Sequence, residues 1–375
     1  MEESTLIDWQ SDQSHLLINP SYPDSSQLQF SKILEQSHRW PAHVWLATSG
    51  STVKKWVGLS KEALLTSAKA VNQHLQSGPF DRWALALPEF HVGGIGIRVR
   101  SFLSGAKVFD FKSVIQNAKW NARLFYDFLT DNQVTLTSLV PSQLFDLIHL
   151  DLKSPTHLRA VVIGGDRLLP ELGNRALERG WNLLPSYGLT ECGSSVATAS
   201  LQENSKLKIL SHLQSRTVEG RLAFKGSSLL STYAYFEEDQ LNFIDPKVDG
   251  WFISMDRGEV NGNFLSIFGR IDEYIKIGGE NVDISRLEMI LQTLKLRLQI
   301  RQSMTLLAIP DVRLGHIIHL VIEGTKDESV EQVILTSFHD LVLPFERIRH
   351  ISRVEEIPKS ALSKVLRKDL INHLK

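Results

Sequence analysis

Short apolar runs that alternate with longer amphipathic stretches predict an α/β fold, a large N-terminal domain with mostly parallel sheets and helices. A change of character after about Arg216, toward hairpin-like strands and a separate helix, predicts a small α+β C-terminal domain behind it. The length agrees: 375 residues, at roughly 150 per domain, suits two or three domains.

The opening segment to about His43 is polar and irregular, with turn signals at Asn19-Pro20 and Tyr22-Pro23. Residues 44–47 read as a buried strand. Residues 61–76 read as a helix, because Leu64, Leu65, Ala68, Val71 and Leu75 recur on one face. Residues 83–87 and 160–163 are short strands, each stopped by Pro or Gly, and residues 120–130 and 142–150 are helical. Strands over 251–255 and 264–268 enclose Asn261-Gly262, a pair that tolerates the positive φ angles of a hairpin turn. A helix over 285–296 and strands over 303–309 and 317–322 complete the chain. The boundary is placed at Asp272, giving domains of residues 1–271 and 272–375, the second long enough for its own core.

Composition narrows the function. Hydrophobic residues at 42% and charged ones at 22% exclude disorder and fibrous repeats. With 41 Lys+Arg against 42 Asp+Glu, the chain lacks the cationic excess that nucleic-acid binding needs. One cysteine, Cys192, allows neither an internal disulfide nor a thiolate zinc site, and reads as a small buried thiol. The start, Met1-Glu2-Glu3-Ser4-Thr5, shows no signal region, and no apolar run nears the roughly 20 residues that span a bilayer. A cytoplasmic protein is expected, and at this size an enzyme. Residues 346–375 carry eight Lys/Arg against four Asp/Glu, which suits an anionic ligand or a solvated helix face.

Several segments can carry chemistry, and each alone also fits an ordinary structural role. Thr48-Ser49-Gly50-Ser51-Thr52 follows a strand directly and precedes Lys54 and Lys55. Small hydroxyl residues around a glycine expose backbone N–H groups, and a lysine adds a point charge, so the segment is a polyphosphate cradle or a plain Ser/Thr loop. Gly164-Gly165-Asp166 ends a strand where backbone passes close to a ligand ring or simply turns. In Tyr187-Gly188-Leu189-Thr190-Glu191, Tyr offers a stacking face, Thr a hydroxyl and Glu a hard oxygen ligand for Mg²⁺. Asp256 and Arg270, at adjacent ends of the hairpin, form a surface ion pair or grip the hydroxyls of a ribose. Lys364, in the stretch 357–367, by itself reads as a solvated lysine.

In this order the segments resemble the adenylate-forming superfamily: acyl-CoA synthetases, peptide-synthetase adenylation domains and luciferases. The matches run from about residue 44 to residue 375. The resemblance makes Thr48, Ser49, Gly50, Ser51 and Thr52 with Lys55 a phosphate loop, and Tyr187 with Gly164, Gly165 and Asp166 the frame of an adenine. It makes Thr190 a phosphate contact, Glu191 the Mg²⁺ ligand, and Asp256 and Arg270 the ribose contacts. Asp272 becomes a hinge, Gly278-Gly279-Glu280 the wall of a coenzyme A thiol channel, and Lys364 the catalytic lysine of a mobile C-terminal domain. The implied reaction has two steps: attack of a carboxylate on the α-phosphorus of ATP, then transfer of the acyl group to coenzyme A.

Within the superfamily, Phe90-His91-Val92-Gly93-Gly94 leading to Arg100, the compact hairpin and the short chain resemble the o-succinylbenzoate–CoA ligases of menaquinone biosynthesis. On this resemblance His91, Arg100 and Gly188 line the acyl pocket. A dicarboxylate leaves one carboxylate unreacted, and Arg100 can grip it bidentately or serve as a structural helix-end or ion-pair residue. Other aromatic or fatty acids remain alternative substrates. Four departures recommend a non-catalytic nucleotide-binding relative as a further alternative: Val53 and the lost Pro in the phosphate loop, Ser363 before the lysine, and only 47 residues ahead of the loop, which implies an abbreviated N-terminal subdomain. Against it, Glu191, Asp256, Arg270 and Lys364 all stand in matching positions. The oligomeric state, monomer or homodimer, is left open.

Overall fold

A computed structural model describes residues 7–20, 31–33, 35, 39–47, 55–115, 120–203, 205–238, 240–362 and 364–374. The chain forms two compact units, one of residues 1–168, 176–254 and 259–266, the other of residues 169–175, 255–258 and 267–375.

The strands of the first unit are β1 (His15–Leu17), β2 (His43–Ala47), β3 (Lys55–Ser60), β4 (Arg82–Leu85), β5 (Lys107–Asp110), β6 (Leu136–Leu139), β7 (Ala160–Ile163), β8 (Leu183–Leu189), β9 (Ser194–Thr198), β10 (Leu207–Ile209), β11 (Gln214–Val218), β12 (Arg221–Lys225), β13 (Thr232–Glu237) and β14 (Gln240–Ile244). Strands β15 (Phe252–Asn261) and β16 (Phe264–Arg270) run on into the second unit. One sheet has the order β1-β2-β3-β13-β14; the other, of eleven strands, has the order β11-β12-β15-β16-β10-β9-β8-β7-β6-β4-β5.

In the larger sheet the parallel pairings join β5, β4, β6, β7 and β8. From β8 outward the pairs β8–β9, β9–β10 and β10–β16 are antiparallel. The switch is dictated by connection length. A crossover helix is needed to return a strand in parallel, and only the short turn Thr190–Cys192 with Gly193 separates β8 from β9.

The helix Lys61–Leu75 forms where the apolar spacing predicts it. Its N-terminus is capped by Ser60 Oγ, which accepts from Ala63 N at 3.0 Å. Val71 and Leu75 pack with Ile97 of the helix Val92–Ser104 against Trp83, Leu85, Leu136, Val162 and Leu184 of the parallel strands. The helices Ala122–Asp131 and Pro141–His149 lie within two residues of expectation, the second with Pro in its first turn.

The hairpin differs from the sequence reading. Strand β15 continues to Asn261 instead of stopping at Met255, so Asp256 lies inside the strand rather than past its end. The cause is period-2 burial: Phe252, Ser254, Asp256 and Gly258 face inward while Met255 and Glu259 are exposed. The turn sits at Gly262-Asn263, with φ +57° at Gly262, and Asn261 stays in the strand.

In the second unit, β17 (Tyr274–Ile277) and β18 (Glu280–Asp283) form a hairpin. Strands β19 (Met304–Asp311), β20 (Gly315–Glu323) and β21 (Ile348–Val354) form a sheet in that order. Leu306, Ile318, Leu320 and Ile322 of this sheet pack against Leu287 and Leu291 of the helix Ile284–Arg297 and Ile334 and Phe338 of the helix Glu328–His339. Its opposite face, through Leu307 and Val321, meets Ile357 and Leu370. Among the described residues, no helix is long and apolar enough to cross a membrane.

Candidate functional site

Gly164 follows the end of strand β7, and its N–H donates to Leu139 O at 3.1 Å, at the end of β6. A Cβ on Gly164 would stand 3.4 Å from Ser186 O, so the residue lies against β8 immediately before Tyr187. Gly165 takes φ +81°, and Asp166 is exposed, its Oδ1 accepting from Arg167 N at 2.7 Å. Tyr187 is half-buried, with its ring 6.2 Å from that of Phe224. At Gly188 the β8–β9 register shifts, and a Cβ there would lie 2.4 Å from Ser194 O, so only glycine admits this close strand approach.

Thr190 and Glu191 open the short turn after β8. Tyr233 in β13 donates its phenol O–H to Glu191 Oε1 at 2.8 Å, and Leu230 N donates to Glu191 O at 2.8 Å. Burial, then the Glu191 charge, pushes the Tyr233 phenol pKa well up, so it remains a neutral donor. Lys55 Nζ stands 5.3 Å from the centre of the Tyr233 ring. Lys55 and Tyr233, neighbours in one sheet, thus meet Glu191 from the turn between β8 and β9 of the other. The loop residues Thr48, Ser49, Gly50, Ser51 and Thr52 lie outside the described residues, as do Val53 and Ser363. Cys192 is buried, as expected of a small packed thiol.

The donor set near Glu191 suits Mg²⁺ carried on a nucleotide. Among the described residues, no group of three or more His, Cys, Asp or Glu could hold a metal by itself. Mg²⁺ keeps several waters and takes one or two carboxylates plus substrate phosphates, which a single carboxylate with an adjacent Thr hydroxyl can serve.

Arg100 lies in the helix that His91 precedes; the His91 carbonyl accepts from Gly94 N and Ile95 N, at 2.9 and 3.1 Å. The guanidinium is buried. Nη2 donates to Ser194 Oγ at 3.0 Å and Ser195 Oγ at 3.3 Å, while Nε has no partner among the described residues. No carboxylate among the described residues pairs with it, and burial pulls its pKa down to about 10. Ser195 also accepts from Ser186 Oγ, at 3.2 Å, which bonds Thr198 Oγ1 at 2.8 Å. Gly188 and Arg100 therefore meet the same two serines, and a buried cation is left facing hydroxyls instead of an acid. An ion-pair role for Arg100 finds no partner among the described residues.

The remaining residues belong to the second unit. Asp256 is buried, and Arg270 Nη1 donates to its Oδ1 at 3.3 Å. The guanidinium's main partner is Asp272, which it grips in a fork, Nε to Oδ1 at 2.9 Å and Nη2 to Oδ2 at 3.0 Å. Gly278 and Gly279 form the two-residue turn between β17 and β18, with φ +60° and +91°, both in the region that favours glycine. Glu280 is exposed beside them. Lys364 is exposed in a loop closed by the Lys359–Val365 bridge; its carbonyl accepts from Ser360 N at 2.7 Å and its N–H donates to Ser360 Oγ at 3.2 Å.

Tyr233 is the site residue that sequence reading missed. It stands in the aromatic strand Thr232-Tyr233-Ala234-Tyr235-Phe236, where nothing local separates it from Tyr235.

Parallel strands whose carboxyl ends turn at glycines toward a carboxylate and a buried cation define an α/β protein of the kind that binds ligands outside its strand ends. More narrowly, the chain belongs to the AMP-binding enzyme family, whose model matches residues 8–233. It is similar to the 2-succinylbenzoate–CoA ligase of Salmonella typhimurium, 31% identical over 253 residues that cover 65% of this chain and 50% of the relative. The Escherichia coli enzyme of that name is 30% identical over 72% of this chain and 56% of its own. The chain thus spans about half the length of these relatives. A solved o-succinylbenzoate CoA synthetase from Bacillus subtilis, in complex with ATP and magnesium ion, shares the fold with TM-score 0.70 and 21% identity, over 88% of this chain and 69% of that one.

Proposed function

We propose that the chain is an ATP-dependent acid–thiol ligase that adenylates o-succinylbenzoate and passes the acyl group to coenzyme A, a step of menaquinone biosynthesis. The observation that carries this reading is Arg100, a buried guanidinium with no carboxylate partner among the described residues. A dicarboxylic substrate supplies the missing anion, and the relatives' shared name points to the same acid.

In the first half-reaction a substrate carboxylate attacks the α-phosphorus of ATP and pyrophosphate leaves. The protein's part is positioning and charge neutralisation. Tyr187 and the Gly164-Gly165-Asp166 turn frame adenine; Asp256 and Arg270 take the ribose. Thr190, the residues 48–52 and Lys55 hold phosphates, and Glu191 holds Mg²⁺, which when bound supplies charge neutralisation to those phosphates. Lys364 bridges the attacking carboxylate and the α-phosphate as negative charge gathers between them. Arg100 holds the carboxylate that does not react, in a pocket lined also by His91 and Gly188.

In the second half-reaction the thiol of coenzyme A displaces AMP. Residues 272–375 act as a hinged domain that turns about Asp272, withdrawing Lys364 and offering the Gly278-Gly279-Glu280 turn to the thiol path. With ATP and coenzyme A as substrates, the reaction belongs to the cytoplasm.

The test is AMP release from Mg-ATP and coenzyme A with o-succinylbenzoate beside benzoate, salicylate and a medium-chain fatty acid. Release with o-succinylbenzoate alone is expected. Turnover of another acid would keep the ligase and discard the substrate; silence with all four, from folded protein that binds ATP, would favour a non-catalytic relative.

A further inference from the structure

We propose that Tyr233 is a positioning residue for Glu191, holding its carboxylate in one orientation toward the metal and phosphates. The inference rests on the reading of Glu191 given above and extends it to a residue outside every motif in the chain.

Four observations converge. The phenol O–H donates to one carboxylate oxygen, Oε1, at 2.8 Å, and leaves the rest of the carboxylate's acceptor capacity for a cation. A hydrogen bond to an ionised acceptor is among the stronger ones, and it removes rotamers that a Glu side chain otherwise samples. The donor itself is held on both sides, because Tyr233 pairs with Val57 of β3 and with Ile244 of β14 inside its sheet. Glu191 is tied to the same stretch of chain through its carbonyl, which accepts from Leu230 N at 2.8 Å. The phenol's opposite resource, its ring face, carries Lys55 Nζ at 5.3 Å. One side chain thus sets the spacing of a cation and a carboxylate that come from segments far apart in sequence. Partners that orient a metal ligand in this way are commonly worth 10- to 100-fold in metal affinity.

The test substitutes Tyr233→Phe, which removes one oxygen and keeps the ring, and Glu191→Gln, singly and together in the full chain. Two readouts are taken: the Mg²⁺ dependence of ATP–pyrophosphate exchange, and Mn²⁺ binding in the presence of a non-hydrolysable ATP analogue, followed by electron paramagnetic resonance. Tyr233→Phe is expected to weaken Mn²⁺ binding and raise the Mg²⁺ requirement by about 10-fold. At saturating metal its rate should fall much less, and in the Glu191→Gln background it should add nothing to the metal response. If Glu191→Gln shifts metal binding and Tyr233→Phe does not, the proposal is overturned while the role of Glu191 stands. If Tyr233→Phe lowers the rate equally at every metal concentration, with Mn²⁺ binding unmoved, Tyr233 is structural and the proposal is equally overturned. If Glu191→Gln leaves Mn²⁺ binding unchanged, the reading of Glu191 itself fails, and the proposal with it.

Discussion

Replacing Arg100 by methionine separates a guanidinium kept for the fold from one kept for a ligand. The side chain is 2% exposed, and burial alone pulls its pKa down from the ordinary arginine value to about 10. That difference corresponds to a penalty of about 3 kcal/mol on the charged form in the unliganded protein. Against it stand two hydrogen bonds, to Ser194 Oγ and Ser195 Oγ, of about 1 kcal/mol each. Ser195 keeps its bond from Ser186 when the arginine is removed. Methionine fills similar length without charge, so the free variant should be as stable as the native chain or about 1 kcal/mol more so. The assay is urea unfolding with and without o-succinylbenzoate. At a hundredfold excess over Kd, a ligand stabilises the native chain by about 2.7 kcal/mol. The variant should lose most of that gain for the dicarboxylate and none of it for a monocarboxylate of similar size. Destabilisation of the free variant by more than about 3 kcal/mol would refute the reasoning, because the guanidinium would then be part of the core's own bonding. An equal loss for both acids would refute it from the other side.

Other outcomes follow from single observations. Lys364→Ala should slow adenylation by about 10²–10³-fold, as removal of one pre-organised donor does, while thioester formation from supplied acyl-adenylate continues; equal loss in both half-reactions would remove Lys364 from its role. Gly188→Ala should lower stability by about 2 kcal/mol or more and impair adenylation, since the new Cβ would meet backbone 2.4 Å away at Ser194; an unchanged melting temperature would contradict the strand contact. Among the described residues His212 finds no hydrogen-bond partner for either buried ring nitrogen, and burial lowers its pKa to about 4. Its folded pKa lies below the unfolded value near 6.5, so its share of stability is complete above about pH 6.5 and is lost as pH falls toward 4. The span is about 3 kcal/mol at most. His212→Leu should flatten the fall in stability across that window, and a slope identical to the native chain's would count against the buried, unpartnered imidazole.

Much of the fold was legible because its signals are local. The helix Lys61–Leu75 and the strand Ala160–Ile163 follow from apolar spacing and from the residues that stop them. The extent of strand β15 is not visible locally, because Asp256 and Gly258 interrupt the apolar run although both face inward in the folded chain. The candidate site was legible only in part. Gly188, Glu191, Arg270 and Lys364 stand in segments whose order carries meaning, whereas Tyr233 looks like any aromatic strand residue.

The amino-acid sequence by itself determined the two-part α/β and α+β organisation, the order of the chemical segments and the kind of residue at each. Tertiary structure alone decided who meets whom. Tyr233 reaches a carboxylate 42 residues away, and Arg100 a serine 94 residues away. Arg270 closes its fork on Asp272 and holds Asp256 by a single longer bond. Periodicity along a chain reports which face of an element is buried. Hydrogen bonds and charge burial depend on register between elements, and that register is set only when the sheets assemble.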